Sequence, residues 1–420
     1  MDAATGQAGA ATGQAGAATG QPAGTSPHVW VSSTYFAEGF PYSLVNSGAE
    51  LLFKEMGASL GAVGLTSLLH LPWNLKFLWA PWVERWGSRR AFLIGAQLTC
   101  AVLLALAAMA ARGVEALSLL AGLFLAMAVA SATNDIAIDG YYLEALDDDA
   151  QARFVGYRAT AYRVANLSVK AGLPLLAGVA GWRWGLGAMA AVLVLVALFH
   201  AVTLPRLPRP DTTEREGYMR TFRGLLTRPG ALPILAFVVL FRTGESLLQK
   251  MKWPFFKDAL GMTLPEYGMA NGTVGVIVSL VATLWGGRLI ARHGLGRCFW
   301  PFILGQNLLH LLYVGLAAFP TVGTFPVITA VIAVEEFGAG LGSAVLMVFL
   351  MRICDERHRA THFALLTAVM SLSFTFAGAV SGYLAQSLGY AGFFALTIVA
   401  TLPMMLLAEG MRRRVAAPPA

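Results

Sequence analysis

Runs of about twenty residues with few or no charges recur twelve times along this chain, and about twenty apolar residues is what an α-helix needs to cross a bilayer core. Lipid offers no hydrogen bonds, so such runs must satisfy their own backbone groups and be helical. They lie roughly at 29–52, 61–83, 91–111, 116–139, 155–179, 183–204, 232–255, 265–290, 299–319, 324–350, 361–386 and 391–409. Composition agrees. Of 420 residues 57% are hydrophobic and 13% charged, against about 25% charged in soluble domains. The expectation is an all-α integral membrane protein. The net charge of +7 forms no stripe but is scattered between apolar runs, so no nucleic-acid partner is expected.

The longest polar stretch between runs, PRLPRPDTTEREGYMRTFRGLLTRPG at 205–230, divides six helices from six. The sequence thus reads as a bundle over 28–204, a linker over 205–230, a second bundle over 231–410 and a tail over 411–420. Residues 1–27 begin with a seven-residue Ala/Gly/Thr/Gln repeat without a basic start or apolar bulk, and read as a disordered tail. Arg85, Arg89, Arg90, Arg153, Arg158, Arg206, Arg209, Arg292, Arg297, Arg352 and Arg412 fall on one side, while Lys54, Arg112, Arg183, Lys257 and, less clearly, Lys250 and Lys252 fall on the other. The excess marks the cytoplasmic face and puts both termini there. APWVERWGSRR (80–90) and GRLIARHGLGR (287–297) share a small residue, an Arg five places on and a Gly seven places on. The offset of 207 also carries Glu38 onto Glu245. A duplicated six-helix unit, giving two pseudo-symmetric bundles, follows from the two matches.

Charges inside the apolar runs are the functional signal, because each costs at least about 2.5–3.5 kcal/mol unless it faces a partner or a cavity. Glu38, Asp135, Asp139, Glu245, Glu335 and Glu336 are such carboxylates; Lys76, Arg163, Lys170 and Arg242 are such cations. The carboxylates are candidates for proton coupling. The cations, with Tyr35 and Tyr42, are candidates for binding solute. Tyr35, Glu38 and Tyr42 share one helix face, and so do Asp135 and Asp139. Arg242 stands three residues before Glu245, close enough to pair on its own helix. Asp135 or Asp139 is expected to meet Arg163, Arg85 or Arg89, as a gate latch, a structural pin or part of a binding site. Glu38 has Tyr35 where Glu245 has Arg242, which makes Glu38 the better proton carrier. His70, His200, His310 and His362 lack ligand-spaced companions, as do Cys100, Cys298 and Cys354. No metal, disulfide or cofactor is expected. Ser246 in GES lacks a nucleophile elbow, and no nucleotide-binding Gly-rich loop is present, so the chain does not read as an enzyme.

Two six-helix halves in parallel repeat are the architecture of major facilitator transporters. The 80–90 motif resembles that superfamily's loop signature, with Glu84, Arg85, Gly87 and Arg89 in the first copy and Arg292 and Gly294 in the second. YFAEGFPYSLV (35–45), LKFLWAPWVERW (75–86), NDIAIDGYYLEAL (134–146) and the stretch from Gly338 to Leu372 resemble the AmpG muropeptide permeases and related acetyl-CoA transporters. On that match Lys76, Pro81, Glu84, Arg85, Asp135 and Asp139 occupy family motif positions. The resemblance implies a central cavity lined by helices 1, 4, 7 and 10. It also implies a proton-driven importer of cell-wall sugar peptides, a monomer in the bacterial inner membrane whose partners are solute, protons and lipid. Alternatives of another kind are an exporter of a drug, siderophore or other metabolite, or a non-transporting sensor.

Overall fold

A computed structural model of the protein describes residues 26–85, 88–207, 230–354 and 359–416. The 205–230 linker and the 1–27 tail therefore lie largely outside the described residues, whereas of the expected 411–420 tail residues 411–416 continue the last helix, Leu402–Ala416. Among those described, eight helical stretches are long and apolar enough to cross a membrane. The last, Leu365–Val415, turns at Gly389, where φ is 66°, and forms two spans. Residues 27–55, 60–85 and 148–180 supply three more. The twelve spans, numbered in chain order, are 27–55, 60–85, 89–110, 114–145, 148–180, 182–203, 231–260, 264–293, 295–318, 325–353, 359–388 and 390–416.

Contacts tie the spans into two matching sets. Span 1 packs on span 5 as span 7 packs on span 11; span 3 packs on spans 4 and 6 as span 9 packs on spans 10 and 12. The halves meet along two seams, span 2 with span 11 and span 5 with span 8. A rotation that carries each span to the one six places on exchanges these seams, which is the two-fold relation expected from the sequence offset.

Small residues make the seams. An added Cβ on Gly272 of span 8 would overlap the Lys170 carbonyl of span 5, and one on Gly382 of span 11 would overlap the Leu60 carbonyl of span 2. Backbones approach this closely only where a side chain is absent. Pro174 contributes too: lacking an N–H, it leaves the carbonyl four residues back, that of Lys170, without its helical donor.

The apolar core divides unevenly along the membrane normal. At the end away from the termini one cluster runs through both halves and includes Leu44, Phe53, Trp253, Phe256 and Phe394. At the end bearing the termini there are two, one around Trp30, Tyr141 and Phe154, the other around Phe237, Phe299 and Phe349. Among the described residues, one apolar cluster welds the two halves, and it lies at the end away from the termini.

Candidate functional site

Span 1 is shaped by Pro41. Its missing N–H frees the Ala37 carbonyl, and Asn134 Nδ2 of span 4 donates to that oxygen at 3.0 Å. The next residue is Asp135. The polar stretch of span 4 is thus seated on a gap in the span 1 ladder. Asp135 forms an ion pair with Lys76 of span 2. One turn on, Asp139 accepts from Arg158 Nη2 at 2.9 Å and from the Tyr35 hydroxyl at 2.8 Å. The Arg158 guanidinium also lies over the Tyr35 ring, 4.2 Å from its centroid. Glu38 stands beside Asp135, with Oε2 buried and without a hydrogen-bond partner. Arg89 pairs with Glu144 at the end of span 4. The carboxylates of span 4 therefore bind spans 1, 2, 3 and 5 together on the termini side.

Beyond this cluster, between the halves, lies a cavity of about 360 Å³. Spans 1, 2, 5, 7, 8, 10 and 11 line it, with Tyr42, Asn46, Lys170, Arg242, Glu245 and Glu336 among the polar groups. Span 4, expected at the cavity wall, spends its carboxylates on the termini-side cluster instead. Span 1 reaches the cavity as a π-helical turn, Leu44–Gly48, of the kind that recurs at functional sites. Asn46 steadies that turn: its Nδ2 donates to the Tyr42 carbonyl at 2.9 Å, and its Oδ1 lies 3.0 Å from His70 Nδ1. Tyr42, His70 and Trp73 form an aromatic corner with centroids 5.1–5.7 Å apart. Arg242 Nη2 donates to Ser343 Oγ at 2.9 Å, and neither Arg242 nor Lys170 forms an ion pair among the described residues. Two cations thus face the cavity without an ion-pair contact, although Glu50, Glu245 and Glu336 share its lining.

The far end is closed by charge as well as packing. Lys54 pairs with Asp258 at 2.6 Å, Lys257 with Glu55 at 2.7 Å and Lys250 with Glu50 at 3.2 Å. All three join span 1 to span 7. Among the described residues every ion pair between the halves lies at this end.

A buried network backs the cavity in the second half. Gln249 Nε2 donates to Glu245 Oε1 at 2.8 Å and to Glu336 Oε1 at 3.1 Å. Lys252, fully buried, donates to Glu336 at 3.0 Å and pairs with Glu335. The Tyr313 hydroxyl donates to Glu335 at 3.3 Å.

The sequence profile of the Major Facilitator Superfamily matches residues 31–251 and 234–420. The chain belongs to that superfamily. Curated relatives include "Putative transporter AmpG 4" of Rickettsia felis, 26% identical over 90% of this chain and 94% of that protein. The "Anhydromuropeptide permease" of Escherichia coli K12 is 26% identical over 89% of this chain and 77% of that longer protein. Among solved structures, a bacterial homologue of the lysosomal transporter Spinster superposes with TM-score 0.73 at 15% identity, covering 94% of this chain and 100% of that one. The nucleoside transporter NupG gives 0.70 at 14% identity, covering 93% and 99%. The twelve-span fold expected from the sequence is the superfamily's fold, and the chain is a multi-pass membrane transporter, not an enzyme.

Within this major facilitator fold the candidate residues divide. Tyr42, Lys170, Arg242, Glu245 and Glu336 line the cavity. Tyr35, Glu38, Lys76, Asp135 and Asp139 gather in the termini-side cluster, and Glu335 lies behind the wall, 0% exposed. Arg163 meets neither aspartate. It is exposed on span 5, and Lys76 and Arg158 take the places expected for it. Arg242 does not pair with Glu245, because it turns to Ser343 of span 10. Of the loop motif, Glu84 and Arg85 end the span 2 helix, and Gly87 lies outside the described residues. Arg89 pairs with Glu144, Arg292 is exposed, and Gly294, at φ 82°, ends span 8. Lys250 and Lys252, counted from sequence toward the far-side loop, are buried in span 7 instead. Glu50, Gln249 and Arg158 are partners that no motif or spacing in the sequence marks out. His200, without a companion in sequence, finds partners on other spans, 2.9 Å from Gln97 Oε1 and 3.0 Å from Ser33 Oγ. A lone histidine in an apolar run was the available signal.

Proposed function

We propose that the protein is a proton-coupled importer of a bulky, anionic solute of the anhydro-muropeptide kind. The observation that carries this reading is the pair of cations, Lys170 and Arg242, facing the cavity without ion-pair partners beside an aromatic corner that suits ring faces. An anionic solute supplies the missing carboxylate, and charge-assisted hydrogen bonds to it are the strong ones. The name of the E. coli relative supports the solute class. In this reading Glu245, Glu336 and Glu38 handle protons, and Lys76, Asp135, Asp139 and Arg158 hold the termini side of the first half rigid. Residues 28–204 and 231–410 are the two moving units. Both termini lie in the cytoplasm of a bacterium, so the cavity is closed toward the outside. Uptake of labelled anhydro-muropeptide by cells with and without the protein tests the solute. Equal uptake at high expression excludes it. Labelling of Arg215→Cys by an impermeant thiol reagent in intact cells would contradict the orientation.

A further inference from the structure

His310 belongs to no motif, yet it occupies a built position. It is 0% exposed and sits at the break between the helices Leu295–Leu308 and Leu311–Ala318. Its Nδ1 is 3.0 Å from Thr397 Oγ1 of span 12. The Thr397 hydroxyl has one proton, and it goes to the Phe394 carbonyl at 2.8 Å. Thr397 must therefore accept from Nδ1–H, which leaves Nε2 of the neutral ring a bare lone pair. That lone pair faces Glu245 Oε2 at 3.8 Å. Both atoms are buried and have no hydrogen-bond partner. Two buried acceptors facing each other are unfavourable, and a proton on either one replaces the repulsion with attraction.

Gly244 makes the approach possible. An added Cβ there would come within 2.5 Å of Thr401 Cγ2 and 2.7 Å of the Thr397 carbonyl. The other face of Glu245 opens on the cavity.

We propose that His310 and Glu245 together seat the coupling proton, deepening the proton-coupled reading on which this rests. In transfer the Nε2–H bond breaks as Glu245 Oε2–H forms, and the neutral carboxyl then yields its proton to water in the cavity. The charged and titratable groups acting on the dyad are Arg242 and Lys252 of span 7 and Glu335 of span 10, with Glu336 joined to Glu245 through Gln249. Among the described residues, span 12 contributes the Thr397 hydroxyl.

The first arm of the test needs no solute. Infrared titration of the purified protein in lipid is expected to show one carboxyl band and one imidazole band changing in a single step. His310→Gln removes the imidazole change and displaces the carboxyl step; Glu245→Gln removes the carboxyl band and displaces the imidazole step. Either variant leaving the other group's titration unmoved overturns the proposal. The second arm uses proteoliposomes and labelled anhydro-muropeptide. His310→Gln is expected to lower uphill accumulation at least about tenfold while solute exchange stays within about twofold of wild type. Wild-type accumulation in that variant, or equal loss of exchange and accumulation, overturns the coupling role. If the wild-type protein transports no anhydro-muropeptide, the solute assignment fails, and the infrared arm still decides the dyad.

Discussion

Asp135 is held by Lys76, whose side chain is 36% exposed against 12% for the aspartate. Removing one partner of a buried pair costs about 3–5 kcal/mol, and the open lysine end brings Asp135→Asn toward the lower figure. The expected outcome is reduced thermal stability, recovered by the swap Asp135→Lys with Lys76→Asp and not by Asp135→Arg with Arg163→Asp. Lys170 differs: with no ion-pair partner among the described residues, Lys170→Met should leave the melting temperature unchanged. It should weaken binding of an anionic solute by about 10- to 100-fold, the worth of one charged hydrogen bond, measured by calorimetry. The carboxylates were legible because a charge in an apolar run stands out at once. Their partners were not, because the register of one helix against another decides whether Asp135 meets span 2 or span 5. The partners of His310 and His200 were illegible for the same reason: neither has a companion in sequence, and both find theirs on other spans.

The spans were legible from length and apolarity, and their ends less so. Span 4, expected to end at Asp139, runs on to Ala145, because Asp139 and Glu144 are absorbed by Arg158 and Arg89. Spans 1, 2 and 5 do not stand out as apolar helices. Spans 1 and 2 carry π and 3-10 turns, and all three line the cavity, so polar residues replace apolar ones where water or solute replaces lipid. Asn134→Leu would leave the Ala37 carbonyl unpaired beneath Pro41, at about 1–3 kcal/mol for a buried acceptor. Reduced stability with a loosened span 1, seen as faster amide exchange around Ala37, is the expected outcome. At the seam between spans 5 and 8, Gly272→Val should cost at least the ~1–3 kcal/mol of overpacking. The readout is loss of the monodisperse species in size-exclusion chromatography.

For the whole molecule, the pairs that join spans 1 and 7 are expected to bias any balance between forms open at either end. Lys54–Asp258 and Lys257–Glu55 are partly exposed and worth about 0.2–1 kcal/mol each. Glu50–Lys250 is buried, so breaking it leaves a charge without its partner. Lys54→Ala with Lys257→Ala should therefore raise the population open at the far end by a few-fold, read as a longer distance component between spin labels in the loops after spans 1 and 7. An unchanged distance distribution would remove these pairs from the gate. The two-fold arrangement was legible from the 207-residue offset. The one-sided weld was not, since it depends on which residues of different halves come together.

The seams of glycine against carbonyl have a further consequence. A membrane that stores energy as an ion gradient tolerates no leak beside its carriers, and side chains that swap rotamers open transient gaps. Where Gly272 lies on the Lys170 carbonyl and Gly382 on the Leu60 carbonyl, there is no side chain to swap. A joint of bare backbone on bare backbone is expected to seal without rotamer rearrangement, an insulator against leak.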